Sequence, residues 1–261
     1  MDFYAEPWVY DLWFKGVDGD EAFWPELVRR GGGVSVLELG CGTGRLLLPL
    51  ARELVPDGFR VIGLDAAPQM LDVLREALVR ESPGVQAAVS LHEADMRSYD
   101  LAERFDFAFI GFNTFAHLLE IEDQLACLRT THRHLVKGGR LAIEVNFHPP
   151  DQLAENLESR PLALQGHVRD ESTGETTLFL HTARYYSDTQ TSDELLRLER
   201  IDRHGQAHVT NVELPLHIFS PRELQLLFRL AGFEVEAVYG DADFGPLTEA
   251  SDIQVVVGRV V

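Results

Sequence analysis

A glycine-rich loop after a short apolar run is the strongest structural signal in this chain. The apolar run ends at Leu39, and glycine then occupies every second position, at Gly40, Gly42 and Gly44. Leucines recur at helical spacing over residues 46–54. Closely spaced glycines let the backbone turn sharply and let a ligand lie against the main chain. The first turn of a following helix offers free N–H groups. The pattern predicts a strand, a loop and a helix that together bind a nucleotide-type cofactor.

The residues around the glycines distinguish between kinds of cofactor loop. A phosphate-binding P-loop requires lysine and then serine or threonine after its last glycine, but Arg45 and Leu46 follow here. A dinucleotide-binding loop has the pattern G-x-G-x-x-G, and the position of its third glycine is taken by Arg45. The chain instead has E-x-G-x-G-x-G, which begins at Glu38. An acid at the end of a strand suits a cofactor with cationic groups. The alternative is a glycine-rich turn in an ordinary α/β domain, which would show the same glycine pattern.

Further segments follow in an order that resembles the motifs of a known family. Residues 60–65 form an apolar run that ends in Asp65, about 20 residues past the glycines, where an acid can meet a ribose diol. The segment from Asp65 to Leu71 resembles the family pattern D-x-S-x-x-M-L, except that Ala67 replaces the usual serine. Three more segments match later motifs: 92–96, 105–110 and 135–144. Residues 34–147 are therefore similar to the class I S-adenosylmethionine (SAM)-dependent methyltransferases.

The resemblance implies which residues bind SAM and its product, S-adenosyl-L-homocysteine. Glu38 holds the amino-acid end, directly or through water, and Asp65 binds the ribose hydroxyls. Asp95 binds the adenine amino group, and Met96 packs on the adenine ring. Cys41 is expected to be a small residue beside the cofactor, and the alternative is a reactive thiol whose pKa falls near a helix N-terminus. The other implied cofactor contacts are Gly40, Gly42, Gly44, Ala66, Met70 and Phe112.

Methyl transfer from a sulfonium requires few catalytic groups, because the leaving thioether is neutral. The enzyme aligns the reacting atoms, and it needs a base only if the acceptor arrives protonated. His117 is the candidate base, since residues 113–118 resemble the S-x-x-H-L segment of sugar-amine and related small-molecule N-methyltransferases. The alternative is a histidine at a helix N-terminus without a chemical role. No metal site is expected.

The first 30 residues are the most aromatic part of the chain and are expected to form a helical lid. The segment from Val9 to Trp13 is similar to the Y-D-x-x-Y-like segment of many small-molecule methyltransferases. Tyr10 is the residue expected to reach the pocket, where an aromatic face would attract a cationic sulfonium. The alternative is an amphipathic helix that only covers the sheet.

The order of predicted elements indicates an α/β fold with three parts. Strands and helices alternate over residues 34–147, which predicts a Rossmann-like, doubly wound, mostly parallel seven-stranded sheet with one antiparallel strand. Turn-rich alternating segments after Pro150 predict an antiparallel β insertion that covers the active site. Ser220 and Glu223 match a capping box at the start of a helix. The expected domains are a lid (1–30), a SAM-binding domain (31–149 and 219–261) and the insertion (150–218).

Composition limits the partners of this chain. Its 261 residues include 42 acidic and 23 basic side chains, a formal net charge of −19, which argues against nucleic acid as a partner. No apolar run approaches the roughly 20 residues that span a membrane, and the first residues lack the pattern of a signal peptide. The two cysteines do not suggest a disulfide framework. We expect a cytoplasmic protein that acts on a small molecule, with a possible homodimer through the β insertion.

These observations predict an enzyme that moves the methyl group of SAM to a nitrogen or oxygen of a small-molecule acceptor by direct in-line displacement. One alternative is an NAD-type oxidoreductase, against which Arg45 and Asp95 count. A second alternative is a non-catalytic protein that binds SAM. It is compatible with the sequence, because this chemistry requires few catalytic residues.

Overall fold

The computed structural model describes residues 3–14, 22–158, 161–170 and 172–261. The chain divides into two compact units. The first consists of Met1–Lys15 and Pro149–Ile218, and the second of Gly16–His148 and Phe219–Val261. Helix α1 (Pro7–Trp13) lies in the first unit and α2 (Phe23–Gly31) in the second. Residues 15–21 of the expected lid lie outside the described residues.

The first unit contains a four-stranded antiparallel sheet, as the alternating pattern predicted. Its strands lie in chain order: β6 (Ala163–Arg169), β7 (Thr176–Tyr186), β8 (Thr191–Ile201) and β9 (Ala207–His217). One face of this sheet is apolar because alternate residues of a strand point to the same side. Phe179, Leu196, Leu198 and Val212 pack there with Val9 of α1. The short helix α7 (Pro150–Glu155) begins this part of the chain.

The second unit contains the predicted seven-stranded sheet. Its spatial order is β10 (Phe233–Tyr239), β11 (Ile253–Val260), β5 (Leu135–Asn146), β4 (Phe105–Ile110), β1 (Ser35–Leu39), β2 (Arg60–Asp65) and β3 (Val89–Glu93). Neighbours from β5 to β3 pair in parallel, and β11 is antiparallel to both β5 and β10. The predicted Rossmann-like fold with one antiparallel strand is therefore confirmed.

Helices cover this sheet and supply much of its core. They are α2, α3 (Leu47–Leu54), α4 (Pro68–Leu78), α5 (Pro83–Ala88), α6 (Ile121–His134) and α8 (Pro221–Leu230). Every residue of β1 is buried, as expected for a central parallel strand between two helical layers. The predicted capping box at α8 is present: Ser220 Oγ accepts a hydrogen bond from Glu223 N, and the Glu223 carboxylate accepts one from Ser220 N.

The helices of both units are short. The longest, α6, has 14 residues, whereas a membrane-spanning helix needs about 20 apolar residues. In the described ranges, no helix combines the length and the apolar composition needed to cross a bilayer. Cys41 and Cys127 are both buried, free thiols.

Candidate cofactor and active site

The glycine-rich loop joins β1 to α3 at the carboxyl end of the sheet. Gly40, Gly42 and Gly44 have φ angles of 74°, 53° and 91°, in the left-handed region that favours glycine. A Cβ on Gly40 would lie 2.3 Å from Thr114 Cγ2, and a Cβ on Gly44 would lie 2.3 Å from Leu74 Cδ1. The protein's own side chains therefore fill the space beside these two glycines.

Gly42 differs from the other two glycines of the loop. A Cβ on it would meet only the Met70 methyl carbon, at 3.4 Å. Met70 itself is fully buried in the core. The loop is held against the end of β2, because the N–H groups of Gly40 and Cys41 donate to the Leu64 carbonyl at 2.7 and 3.0 Å. Of the three glycines, Gly42 therefore has the most room for close approach by a ligand.

Asp65, the last residue of β2, connects the loop to α4. Its Oδ2 accepts a hydrogen bond from Gly42 N at 2.7 Å, and its Oδ1 accepts one from Ala67 N at 2.8 Å. Burial raises the pKa of Asp65, and the backbone donors partly oppose this rise. An ionised carboxylate has about four lone-pair sites, so acceptor capacity remains for a ligand. The helix N-cap is Ala67, without a side-chain cap, because the usual serine is missing there.

Glu38 and Cys41 lie in the buried part of the site. Glu38 is 3% exposed on the central strand β1, between Gly63 of β2 and Phe109 of β4. Burial and the negative charges of Glu38 and Asp65 raise the pKa of the Cys41 thiol well above its usual range. The thiol is therefore protonated at neutral pH, and the alternative of a reactive Cys41 is not supported.

Asp95 follows the end of β3 and is held by an arginine that the sequence interpretation overlooked. Arg97 Nε lies 3.0 Å from both carboxylate oxygens of Asp95, and another Arg97 nitrogen lies 2.6 Å from Oδ2. Arg97 also donates to Asp123 at 2.7 Å. This guanidinium lowers the pKa of Asp95. The spacing D-x-R was visible in the sequence, but the contact with Asp123 depends on the fold. Met96, between them, is half-buried.

The segment after β4 has an unusual backbone. Phe112 and Asn113 have φ angles of 52° and 61°, and such non-glycine residues cost about 1–3 kcal/mol each and persist only where their surroundings determine them. Asn113 Oδ1 accepts a hydrogen bond from Asn146 N of β5 at 3.0 Å. The Arg45 guanidinium carbon lies 3.8 Å from the centre of the Phe112 ring. The ends of β4 and β5 and the first turn after the glycine loop are therefore tied together around this segment.

His117 is the last residue of a 3₁₀ helix, Thr114–His117. It lies at the C-terminal end of this helix and not at a helix N-terminus, and its role as the base stays a prediction. Burial lowers the pKa of His117 to about 4. At neutral pH the imidazole is therefore uncharged, and a pKa this far below 7 makes it a weak proton acceptor.

Tyr10 lies on α1 in the first unit, within a group of aromatic side chains. Its ring centre is 6.4 Å from that of Tyr4 and 5.0 Å from that of Phe14. Trp13 of the same helix packs edge-to-face on Phe179 of β7. These contacts explain why α1 is aromatic, and the role of Tyr10 towards the cofactor stays a prediction.

The fold brings most of the predicted cofactor residues to one edge of the sheet. Glu38 and the glycine loop lie at the end of β1, Asp65 and Ala66 at the end of β2, and Phe112 directly after β4. The carboxyl ends of parallel strands are where ligands bind in this architecture. Ala66 is exposed there. In the part of the chain that the structure describes, no group of three His, Cys, Asp or Glu residues could hold a metal ion.

Comparisons with known proteins agree with this geometry. A family model described as "Methyltransferase domain" matches residues 36–139. The cypemycin N-terminal methyltransferase of a Streptomyces species is 29% identical over 229 residues, which are 86% of this chain and 82% of that protein. The CcbJ methyltransferase of Streptomyces caelestis has a similar structure, with a TM-score of 0.76, 26% identity and coverage of 94% of this chain and 96% of that one.

A sugar N-methyltransferase, KedS8 of a Streptoalloteichus species, is similar at a TM-score of 0.74 and 25% identity, over 97% of this chain and 92% of that one. Neither these matches nor the glycine loop supports an NAD-type oxidoreductase. The loop, the acids at the strand ends and the matched domain agree on one cofactor, SAM. Residues 36–139 match a methyltransferase domain, and the chain is similar to SAM-dependent methyltransferases that include a sugar N-methyltransferase.

Proposed function

We propose that this enzyme transfers the methyl group of SAM to a nitrogen or oxygen of a small-molecule acceptor by direct in-line displacement, with His117 as the base. One observation carries the proposal. Thr114, the first residue of the 3₁₀ helix that ends at His117, packs against Gly40 of the cofactor loop. The neutral imidazole therefore belongs to a segment that directly contacts the loop expected to hold SAM.

The acids of the site suit this cofactor. SAM carries an ammonium group, a sulfonium and a ribose diol, and it supplies an electrophilic methyl group. Glu38 would hold its amino-acid end, Asp65 its ribose hydroxyls and Asp95 its adenine amino group. Arg97 keeps Asp95 ionised, which leaves that carboxylate able to accept from an amino group. Met96 would pack on the adenine ring.

The protein's task in the reaction is alignment and, for a protonated acceptor, removal of one proton. Alignment of reactants lowers the barrier without any charged catalytic group. The imidazole of His117, uncharged at neutral pH, would accept the proton of the acceptor amine or hydroxyl as the methyl group is transferred, a role for which its low pKa makes it a weak base. Tyr10 is the second candidate, through attraction between its ring and a cationic centre.

The acceptor is proposed to be an uncharged or cationic amine. The net charge of −19 disfavours polyanionic acceptors, because they would meet a repulsive field. The cypemycin enzyme is named for an N-terminal methylation and the KedS8 enzyme for a sugar nitrogen, so a nitrogen acceptor is what these two relatives share. The antiparallel sheet of the first unit is expected to contribute to acceptor choice.

Calorimetry and a transfer assay test this function. S-adenosyl-L-homocysteine should bind to the full chain, and NADH should not. Methyl-labelled SAM, incubated with amino sugars and with peptides that have a free N-terminus, should label at least one amine. His117→Ala should lower that turnover while the dissociation constant of S-adenosyl-L-homocysteine stays near the wild-type value. Binding without transfer to any amine or alcohol would support the non-catalytic alternative, and a wild-type rate that does not depend on pH would remove His117 from the mechanism.

We also propose a homodimer through the β insertion, in a cytoplasmic enzyme. Leu164 on β6 and Val209 on β9 are 60% and 48% exposed, one on each edge strand of the four-stranded sheet, and an edge strand offers unpaired backbone groups to which another chain can pair. Sedimentation equilibrium should give twice the monomer mass. Leu164→Lys with Val209→Lys should shift the mass to that of a monomer, whereas Leu226→Lys, an equally exposed position on α8, should not. Cell fractionation would test the location.

A further inference from the structure

Gln124 is a buried polar residue that contacts the residue after the candidate base. It lies on α6 and is fully buried. Its Nε2 donates a hydrogen bond to the Leu118 carbonyl at 2.8 Å. Leu118 directly follows His117, so this bond holds the chain at the residue next to the imidazole.

Stability alone does not explain an amide at this position. Within the described residues, the other polar atom of Gln124, Oε1, is buried without a hydrogen-bond partner. A buried acceptor left unpaired is unfavourable, and this cost offsets the gain from the one bond that Gln124 donates. A methionine of similar size would avoid this cost, because volume-conserving changes in a core are tolerated best. A buried group with this cost calls for another explanation.

Side-chain amides hold the chain at both ends of the 3₁₀ helix, and Gln124 holds the C-terminal end through Leu118. At the start, Asn113 Oδ1 accepts from Asn146 N at 3.0 Å. The 3₁₀ helix between these two contacts has no side-chain cap at its N-terminus, and left-handed residues precede it. Such a backbone persists only where its surroundings determine it. The two amides fix both ends of the four-residue helix that carries His117.

We propose that Gln124 is a positioning residue, which holds the imidazole of His117 in place through the hydrogen bond to the Leu118 carbonyl. The role of His117 as the base rests on the proposed function, but the hydrogen bond from Gln124 to the Leu118 carbonyl does not. Without the bond, we expect the end of the 3₁₀ helix to be released and the partly exposed imidazole to gain further access to water. The loss of Gln124 therefore changes the surroundings of His117 without removing any atom of it.

An NMR titration of the histidine side chains in the full chain tests this proposal without any acceptor. The resonance of His117 is assigned from its absence in His117→Gln. Burial sets the pKa of His117 at about 4, so Gln124→Met should raise that pKa by about one unit or more towards the ordinary value. Gln124→Asn keeps the amide but shortens its reach by one methylene, and it should raise the pKa in the same direction if Gln124→Met does not fold.

Gln254→Met is the matched control. Gln254 is also fully buried, its Nε2 donates to a backbone carbonyl (Phe219) at 2.7 Å, and its Oε1 likewise has no partner in the described chain. Gln254→Met should destabilise the protein about as much as Gln124→Met does and leave the pKa of His117 near its wild-type value. Equal shifts in both variants, or none in either Gln124 variant, would overturn the proposal. A shift specific to Gln124 supports it even if His117→Ala leaves methyl transfer unchanged, which would refute only the proposed base.

Discussion

Thr114 packs its methyl group against Gly40, so that any side chain on Gly40 would collide with it: an added Cβ would lie 2.3 Å from Thr114 Cγ2. This contact joins the glycine-rich loop after β1 to the segment after β4. It explains the first glycine of the loop as a packing requirement within the protein.

Gly40→Ala should destabilise the protein more than Gly58→Ala does. Both glycines have left-handed φ angles, 74° and 88°, so each alanine carries a backbone cost of about 1–2 kcal/mol. At Gly58 an added Cβ meets nothing within 4 Å, whereas at Gly40 it collides with Thr114. The free energy of unfolding, measured in urea, should therefore fall further for Gly40→Ala. If both variants lose the same free energy of unfolding, Thr114 moves away from the added Cβ without cost.

Asp65→Ala should weaken the binding of S-adenosyl-L-homocysteine more than tenfold. The change removes the acceptor of two backbone hydrogen bonds at 2.7 and 2.8 Å and the proposed partner of the ribose, and charge-assisted bonds of this kind contribute about 1.5–3 kcal/mol. Calorimetry gives the dissociation constant. Asp72→Ala, which removes an exposed acid of α4 that pairs with Arg75 of the same helix, is the control and should bind normally. An unchanged constant for Asp65→Ala would refute the assignment.

His117 should make the protein less stable in acid. Its folded pKa of about 4 lies below the ordinary value of 6.5, so between these values the unfolded chain binds more protons than the folded one. This difference does not reduce the free energy of unfolding above about pH 6.5. As the pH falls towards 4, it lowers the free energy of unfolding by up to roughly 3 kcal/mol. Urea unfolding at pH 7.0 and pH 4.5 measures it. His117→Gln should show a smaller loss between the two pH values, and an identical loss would mean that other groups carry the effect.

Arg97→Met should weaken cofactor binding several-fold with little effect on stability. Arg97 is 42% exposed, so its ion pairs are screened and contribute about 1 kcal/mol or less to folding. Its bonds to Asp95 nevertheless orient that carboxylate and lower its pKa. Calorimetry with S-adenosyl-L-homocysteine would report the change, and Arg75→Met, which breaks an exposed pair with Asp72, provides the control. If Arg97→Met binds S-adenosyl-L-homocysteine with wild-type affinity, the orientation of Asp95 by Arg97 does not contribute to cofactor binding.

Local sequence patterns were sufficient for most elements of the fold. The strand Arg60–Asp65 lies where the apolar run predicted it, and the capping box opens α8 as expected. Helix α5 was missed because it has only six residues and contains a glycine, although Ser82 and Pro83 are a recognisable helix start.

The glycine loop, the acids at the strand ends and the order of elements were determined by the sequence alone, because turn conformation, strand burial and helix caps depend on residues close in the chain. Only the tertiary structure decided that Thr114 fills the space beside Gly40, that Arg97 joins Asp95 to Asp123 and that Gln124 holds Leu118. The first and second of these contacts join residues far apart in the chain. The third joins residues only six positions apart, but it depends on burial that no local pattern indicates, since glutamine is usually exposed.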